Sequence, residues 1–282
     1  MKALPFSIPK QLNDAFVFQR DYGTSFYDKL HQHEEIQISF IVEGEGTLIV
    51  GDSINYYKAN DVLVIGSDLP HVFKSNLNAS SKSHMLSLFF TENSFGTDFF
   101  QLEDLKELTA FFKRAKHGFK ATSKKKTLID LFFKIEKTTK LNRFIALLQI
   151  LKITSKCKYK SLSSFVYEKK FSANEGQRMR RVIGYTMNNF QNDISLDTIA
   201  EVSSMTKNAF CKYFKKCTNK TYIQFLNEVR LERACRLLLS DNDFSVSEIA
   251  EKTGFNNMSN FNRQFRIIKK MSPSQYKKNN YR

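Results

Sequence analysis

The chain has 282 residues, enough for two domains of ordinary size, each with its own core. Its 41% hydrophobic and 26% charged residues are a globular composition. No run approaches the ~18 apolar residues that a membrane span needs, so no membrane partner is expected. The net charge of +16 favours a polyanionic partner, although a general lysine bias would give the same number. The excess is denser towards the C-terminus: residues 175–282 hold 19 Lys and Arg against 10 Asp and Glu, residues 1–174 hold 25 against 18. The opening MKALPFSIPKQLNDAF lacks a continuous apolar stretch, so no signal peptide and a cytoplasmic location are expected. Cys157, Cys211, Cys217 and Cys235 form no C-x-x-C pair and no zinc-finger spacing, and read as reduced thiols.

Residues 1–97 read as β. Ile36–Val42 and Gly46–Val50 are short, β-branched runs separated by the turn Glu43-Gly44-Glu45-Gly46, and Asp61–Ile65 and Met85–Phe90 continue the pattern. Strands at this spacing predict a sandwich or a small barrel. Residues 98–172 read as a helical dimerisation or linker region, with the alternative that the helices simply cover the sheet. Apolar residues recur at helical spacing from Phe99 to Phe112, from Leu128 to Ile135 and from Phe144 to Leu151, and the polar stretch Thr154–Ser164 reads as a less ordered boundary. Residues 173–282 read as all helix, over Gln177–Phe190, Leu196–Ser203, Lys207–Cys217, Tyr222–Ser240, Val246–Lys252 and Met258–Lys269, with a final turn near Ser274–Tyr276.

This last segment contains a weak duplication. Ile199-Ala200-Glu201 recurs as Ile249-Ala250-Glu251; Phe210, Phe214, Lys215 and Phe225 recur as Phe261, Phe265, Arg266 and Tyr276, one residue further on. Each copy has a capping serine (Ser195 or Ser245) and a short helix with a small central alanine. A tight turn follows, Ser203-Ser204-Met205 or Thr253-Gly254-Phe255, and then a helix with Phe at i and i+4. A polar outward face on that second helix is the design of a helix-turn-helix with its recognition helix. The alternative is a plain helical bundle; the duplication, the tight turn at the same place in both copies and the polar outward faces together favour DNA binding over it.

The stretch Val246–Tyr276 closely resembles the signature of AraC/XylS-type transcriptional regulators. The resemblance lies in Ile249-Ala250, Gly254-Phe255, Phe261, Arg263, Phe265-Arg266, Ser272-Pro273 and Tyr276. Met271 stands where that family usually has Gly, and the first turn is more polar than is usual. The resemblance implies double-stranded promoter or operator DNA as partner, and RNA polymerase as a possible further one. Thr206 reads as the N-cap of the first recognition helix, with Lys207, Asn208, Cys211 and Lys212 on one face near its start; the resemblance places base contacts at Asn208, Cys211 and Lys212. Asn pairs bidentately with adenine and Lys donates to guanine, while Cys211 suits only an apolar contact to a thymine methyl. Met258, Ser259, Asn262 and Arg263 occupy the corresponding face of the second helix, with Arg263 the strongest base contact. Lys215, Lys216, Arg266, Lys269 and Lys270 read as phosphate ligands or a solvated face.

Residues 31–73 resemble the cupin-like sensor domain found in many such regulators, on His31-Gln32-His33-Glu34-Glu35, the Gly44–Gly46 turn, Asp61-Val62 and Leu69-Pro70-His71. The resemblance implies a cavity for a small-molecule effector. His31, His33, Glu35 and His71 are its candidate lining. An H-x-H pair on a strand puts both imidazoles on one side, and a third His with a carboxylate suits a metal. The step from His33 to Glu35 is shorter than metal-binding cupins use, and no metal or cofactor is expected. The expected architecture is α+β and two-domain: a cupin-like barrel with appended helices, then an all-α domain of two helix-turn-helix units joined by a long helix. The expected protein is a homodimeric, effector-controlled regulator and not an enzyme. The alternative is a metal-dependent cupin enzyme fused to a DNA-binding module. No phosphate-binding loop and no nucleophile triad supports a general enzyme.

Overall fold

The structure is a computed structural model that describes residues 8–9, 14–77, 82–166, 173–240 and 243–280. Most of the stretch read for a signal peptide lies outside the described residues. The chain divides into two compact units, Met1–Asn174 and Glu175–Arg282. The first is sheet-rich and the second helical.

In the first unit the strands are β1 (Val17–Gly23), β2 (Ile36–Glu43), β3 (Gly46–Val50), β4 (Ser53–Tyr57), β5 (Val62–Ile65), β6 (His71–Ser75) and β7 (Ser83–Phe90). Helix α1 (Thr109–Ala115), strand β8 (Phe119–Ala121), helices α2 (Lys125–Glu136) and α3 (Lys140–Lys156), and strand β9 (Tyr159–Ser161) follow. Two antiparallel sheets result, one in the order β1-β7-β2-β5-β8-β9 and the other β4-β3-β6. Alternation along β2 explains both cores. Ile36, Ile38 and Phe40 face α1–α3 with Val62, Val64, Leu86 and Leu88, while Ile41 turns into the space between the sheets with Leu48, Leu63, Phe73 and Met85.

The helices of 98–172 cover one face of the larger sheet, the alternative left open by the sequence, and strands β8 and β9, which the sequence did not reveal, extend that sheet. The stretch Thr154–Ser164 is not loose. The buried Asp52 carboxylate accepts hydrogen bonds from Ser163 Oγ (3.0 Å), from Ser164 N (2.9 Å) and from Ser164 Oγ, and Asn55 Nδ2 donates to Leu162 O at 2.8 Å. None of the four cysteines forms a disulfide.

The second unit consists of α4 (Ala173–Asn189), α5 (Leu196–Val202), α6 (Lys207–Thr218), α7 (Tyr222–Leu239), α8 (Val246–Lys252), α9 (Met258–Lys269) and α10 (Pro273–Asn280). The last is a helix of 8 residues where the sequence suggested a turn. Pro273 occupies its first position, and Ser272 and Gln275 exchange capping hydrogen bonds (2.9 and 3.2 Å). No helix among the described residues is long and apolar enough to cross a membrane.

Candidate nucleic-acid interface

Two helix pairs, α5–α6 and α8–α9, share one pattern of backbone bonds. Ser195 and Ser245 cap the first helix of each pair, accepting from Thr198 N (3.0 Å) and Glu248 N (3.2 Å). In the first turn Ser204 N donates to Glu201 O (2.8 Å) and Met205 N to Ala200 O (2.9 Å). In the second, Gly254 N donates to Glu251 O (2.9 Å) and Phe255 N to Ala250 O (2.9 Å). Ser204 and Gly254 are both left-handed, with φ of 54° and 89°. Thr206 and Asn257 then cap α6 and α9, accepting from Ala209 N and Asn260 N. The one-residue slip in the repeat therefore falls between Phe255 and Asn257, at Asn256.

The aromatic packing is duplicated as well. Phe210 and Phe214 lie 5.7 Å apart, as do Phe261 and Phe265. Phe214 meets Phe225 at 5.6 Å, and Phe265 meets Tyr276 at 5.6 Å. The i, i+4 phenylalanines of each second helix are thus buried against its partners, and the opposite face is left to solvent. On α6 the outward residues are Lys207, Asn208, Cys211, Lys212, Lys215 and Lys216, all exposed, while Phe210, Tyr213, Phe214 and Cys217 are buried. On α9, Ser259, Arg263 and Arg266 are exposed, and Asn262 is half-buried.

Several of these side chains already have partners. Lys207 pairs with Asp197 at 2.7 Å and Lys216 with Glu175 at 3.2 Å, both on the surface, where such pairs contribute little. Arg263 Nη2 donates to Asn260 Oδ1 at 3.0 Å, which holds the guanidinium along the exposed face. Met258, at the start of α9, packs against the core of the second pair. Lys269 differs from the other cations that the sequence assigns to the DNA backbone. It is half-buried and reaches Glu232 at 3.3 Å, inside the unit. Burial opposes its charge, and the Glu232 carboxylate together with Cys235 outweighs burial and raises its pKa. Lys270 is exposed at the C-cap of α9 in a left-handed conformation.

In the first unit the three histidines read from the sequence come together. His31 and His71 form an antiparallel bridge, with mutual N–H to O=C bonds of 3.0 and 2.9 Å, and His33 lies two residues along on the same side. The ring centroids are 4.2 Å (His31–His71), 5.1 Å (His33–His71) and 5.9 Å (His31–His33) apart. All three are buried. Burial lowers the pKa of His33, and burial together with the neighbouring His31 and His33 takes His71 well below its usual value. Glu35 does not join the group; its carboxylate stands behind His33, 3.7 Å from Nδ1. A polar row leads inwards from His33 through Gln37 (3.3 Å) and Ser39 (2.8 Å) to Ser87 (2.7 Å).

Elsewhere in this unit, unannounced by any sequence signal, lies a cavity of about 490 Å³ lined by Phe16, Phe18, Phe95, Phe144, Lys140 and Arg143. Its walls come from β1, the loop after β7 and the start of α3. Arg143 lies over the Phe18 ring at 5.3 Å, and Lys140 pairs with Asp14 at 2.7 Å. A phenylalanine in a strand and one in a helix carry no mark of a shared cavity until the fold joins them.

Residues 199–279 match the helix-turn-helix domain family, a span that runs from within α5 to within α10. The HTH-type transcriptional regulator YdeC of Bacillus subtilis is 29% identical over 106 residues, 38% of this chain and 36% of YdeC. The Msm operon regulatory protein of Streptococcus mutans is 21% identical over 92% of this chain and 88% of its own length. Among solved structures, the DNA-binding domain of AdpA in complex with a target DNA is 26% identical. That match covers 35% of this chain and 87% of that one, with a TM-score of 0.33. The chain thus spans little more than a third of the length of YdeC.

Proposed function

We propose that this protein is a sequence-specific DNA-binding transcriptional regulator of the AraC/XylS type. The observation that carries the reading is the pair of helix–turn–helix elements with matching caps, turns and ring contacts, each presenting an exposed polar helix face. The similarity to proteins named HTH-type transcriptional regulators supports it. In this reading α6 and α9 enter the major groove. Asn208, Cys211 and Lys212 face bases on one side, and Ser259, Asn262 and Arg263 on the other. Lys207, Lys215, Lys216, Arg266 and Lys270 neutralise phosphates, and Thr206 and Met258 set the helix starts. Helix α7 has 18 residues and is about 27 Å long, a span suited to holding two reading helices near the ~34 Å of one DNA turn.

The N-terminal unit is the sensing part in this reading, a cupin-like barrel whose effector occupies the phenylalanine-lined cavity. A volume of about 490 Å³ falls in the usual range for small ligands. Leu141 and Ile145, exposed one turn apart on α3, are the surface on which a second copy docks. The effector acts by binding two states unequally, which changes dimer geometry or operator occupancy, with RNA polymerase as the downstream contact. Footprinting of the full-length protein upstream of its own and neighbouring promoters tests the DNA reading. Protection of defined sites, with affinity falling steeply as salt rises, is the expected result. Uniform, salt-insensitive protection refutes it.

A further inference from the structure

The phenylalanine-lined cavity and the histidines lie on opposite faces of the larger sheet. Gln37 and Ser39, which lead inwards from His33, alternate along β2 with Ile36, Ile38 and Phe40 and so face the space between the sheets. Phe16, Phe18 and Phe95 instead pack against the core that the sheet shares with α1–α3. The cavity is therefore built apart from the space between the sheets, and its walls are aromatic. The Phe95 ring lies 4.8 Å from Phe144 and 6.1 Å from Phe16 between centroids, both tilted, within the range of attractive ring pairs.

The charges around the cavity do not cancel. Asp14 lines it too, and Lys140 Nζ already donates to that carboxylate at 2.7 Å. Arg143 is the cation left over. Its Nε donates to Ile135 O at 3.0 Å and its guanidinium lies 5.3 Å from the Phe18 ring centroid, so the half-buried group is held in place. Among the described residues no carboxylate pairs with it and neither Nη has a hydrogen-bond partner. A fixed guanidinium with donors to spare, beside an aromatic wall, matches the planar fork of a carboxylate.

We propose that this cavity takes an aromatic monocarboxylate, with its ring among Phe16, Phe95 and Phe144 and its carboxylate on the Nη groups of Arg143. The proposal rests on the reading of the cavity as an effector site and adds the chemistry of the effector. It also gives that effector a route of action. Arg143 and Phe144 face the cavity from the same turns of α3 that carry Leu141 and Ile145 on the outside. A ligand that fixes these turns acts directly on the surface assigned to the second copy.

The test is calorimetric titration of the full-length protein with phenylbutyrate and with naphthylacetate, each beside its uncharged amide. One acid bound per chain is expected, with the amide weaker by about 10–100-fold, the loss of a charge-assisted pair. Arg143→Met lowers the affinity for the acids by the same factor and leaves that for the amides unchanged. Ser87→Ala, on the opposite face of the sheet, changes neither. Circular dichroism confirms the fold of each variant, and the comparison of acid with amide is made on the wild-type protein alone. Amides that bind as tightly as acids overturn the proposal and leave the cavity a ligand site. Absence of binding by all four compounds overturns the proposal and the effector reading together. Acid binding that survives Arg143→Met also overturns the proposal.

Discussion

Gly254 bends the second helix pair at its turn, and Gly254→Ala tests what closes that turn. Its φ of 89° is a conformation that an L side chain adopts only under strain. A Cβ there would stand 2.6 Å from Phe190 O, 2.8 Å from Arg230 Nε and 3.0 Å from Gln191 O. Two of these are backbone atoms of the segment after α4. The third belongs to a guanidinium already held by Phe190 O (2.8 Å) and Asn192 O (2.8 Å). Backbone strain costs about 1–3 kcal/mol and overpacking about 1–3 kcal/mol, so about 2–6 kcal/mol is expected in total. For a unit of this size each kcal/mol moves Tm by about 4 °C, giving a drop of about 8–24 °C by scanning calorimetry of the full chain. In an Arg230→Ala background one of the three clashes is gone, and the added cost of Gly254→Ala should be smaller, a less-than-additive cycle. A Tm shift under about 2 °C would refute the claim that this turn is closed by steric contact.

Ser204 holds the same position in the first pair, also left-handed but exposed, so Ser204→Gly should stabilise by about 1 kcal/mol in urea unfolding. Arg263→Ala should weaken operator binding by about 1–3 kcal/mol and relax preference at one base position; uniform weakening on unrelated DNA would make Arg263 a phosphate ligand. Lys269→Ala should cost stability rather than affinity, because its ammonium reaches Glu232 inside the unit; a large affinity loss with unchanged Tm would contradict this. Asp61 carries a pH prediction. Burial alone would raise its carboxyl, but Lys120 (2.7 Å) and Lys125 (2.8 Å) outweigh burial and hold its pKa below the usual value. A carboxyl depressed on folding contributes stability above its unfolded pKa of about 3.9, and that contribution is lost as pH falls through the folded value. Asp61→Asn should therefore flatten the acid limb of the stability curve, and an unchanged acid limb would count against the cluster.

How much of this was readable in the sequence follows from what each element rests on. Strands β2, β3, β5 and β7 are dense in β-branched and large apolar residues and show directly. Strand β1 (VFQRDYG) and strand β6 (HVFKS) mix charged with apolar residues, and β8 and β9 have 3 residues each, so they are strands only because a neighbour pairs with them. Thr154–Ser164 looks loose because its hydrogen-bond acceptor, Asp52, is remote in sequence. Helix α10 has few apolar residues, and its signal was the cap, Ser272-Pro273 with Gln275, rather than periodicity. On the site side, the Phe spacing of α6 and α9 fixed which faces are outward, and the exposed residues follow from it. The inward turn of Lys269 did not, because Glu232 lies on another helix. His31 and His33 share a side by strand geometry alone, whereas His71 joins them through a bridge that only the fold supplies.

The two helix pairs are alike in backbone and unlike in what surrounds each turn. Ser204 sits at the surface, with Arg181 Nη1 donating to its Oγ at 3.3 Å, so a side chain has room and the strain is confined to φ. Gly254 is buried beneath Arg230, whose guanidinium ties the segment after α4 to α7 and lies 5.8 Å from the Phe255 ring. The second turn is therefore a junction inside the unit as well as a bend between two helices. That explains why the second pair holds glycine at this position while the first tolerates serine. Changes at Gly254 should reach both helix pairs through Arg230 and α7, while changes at Ser204 should stay within the first.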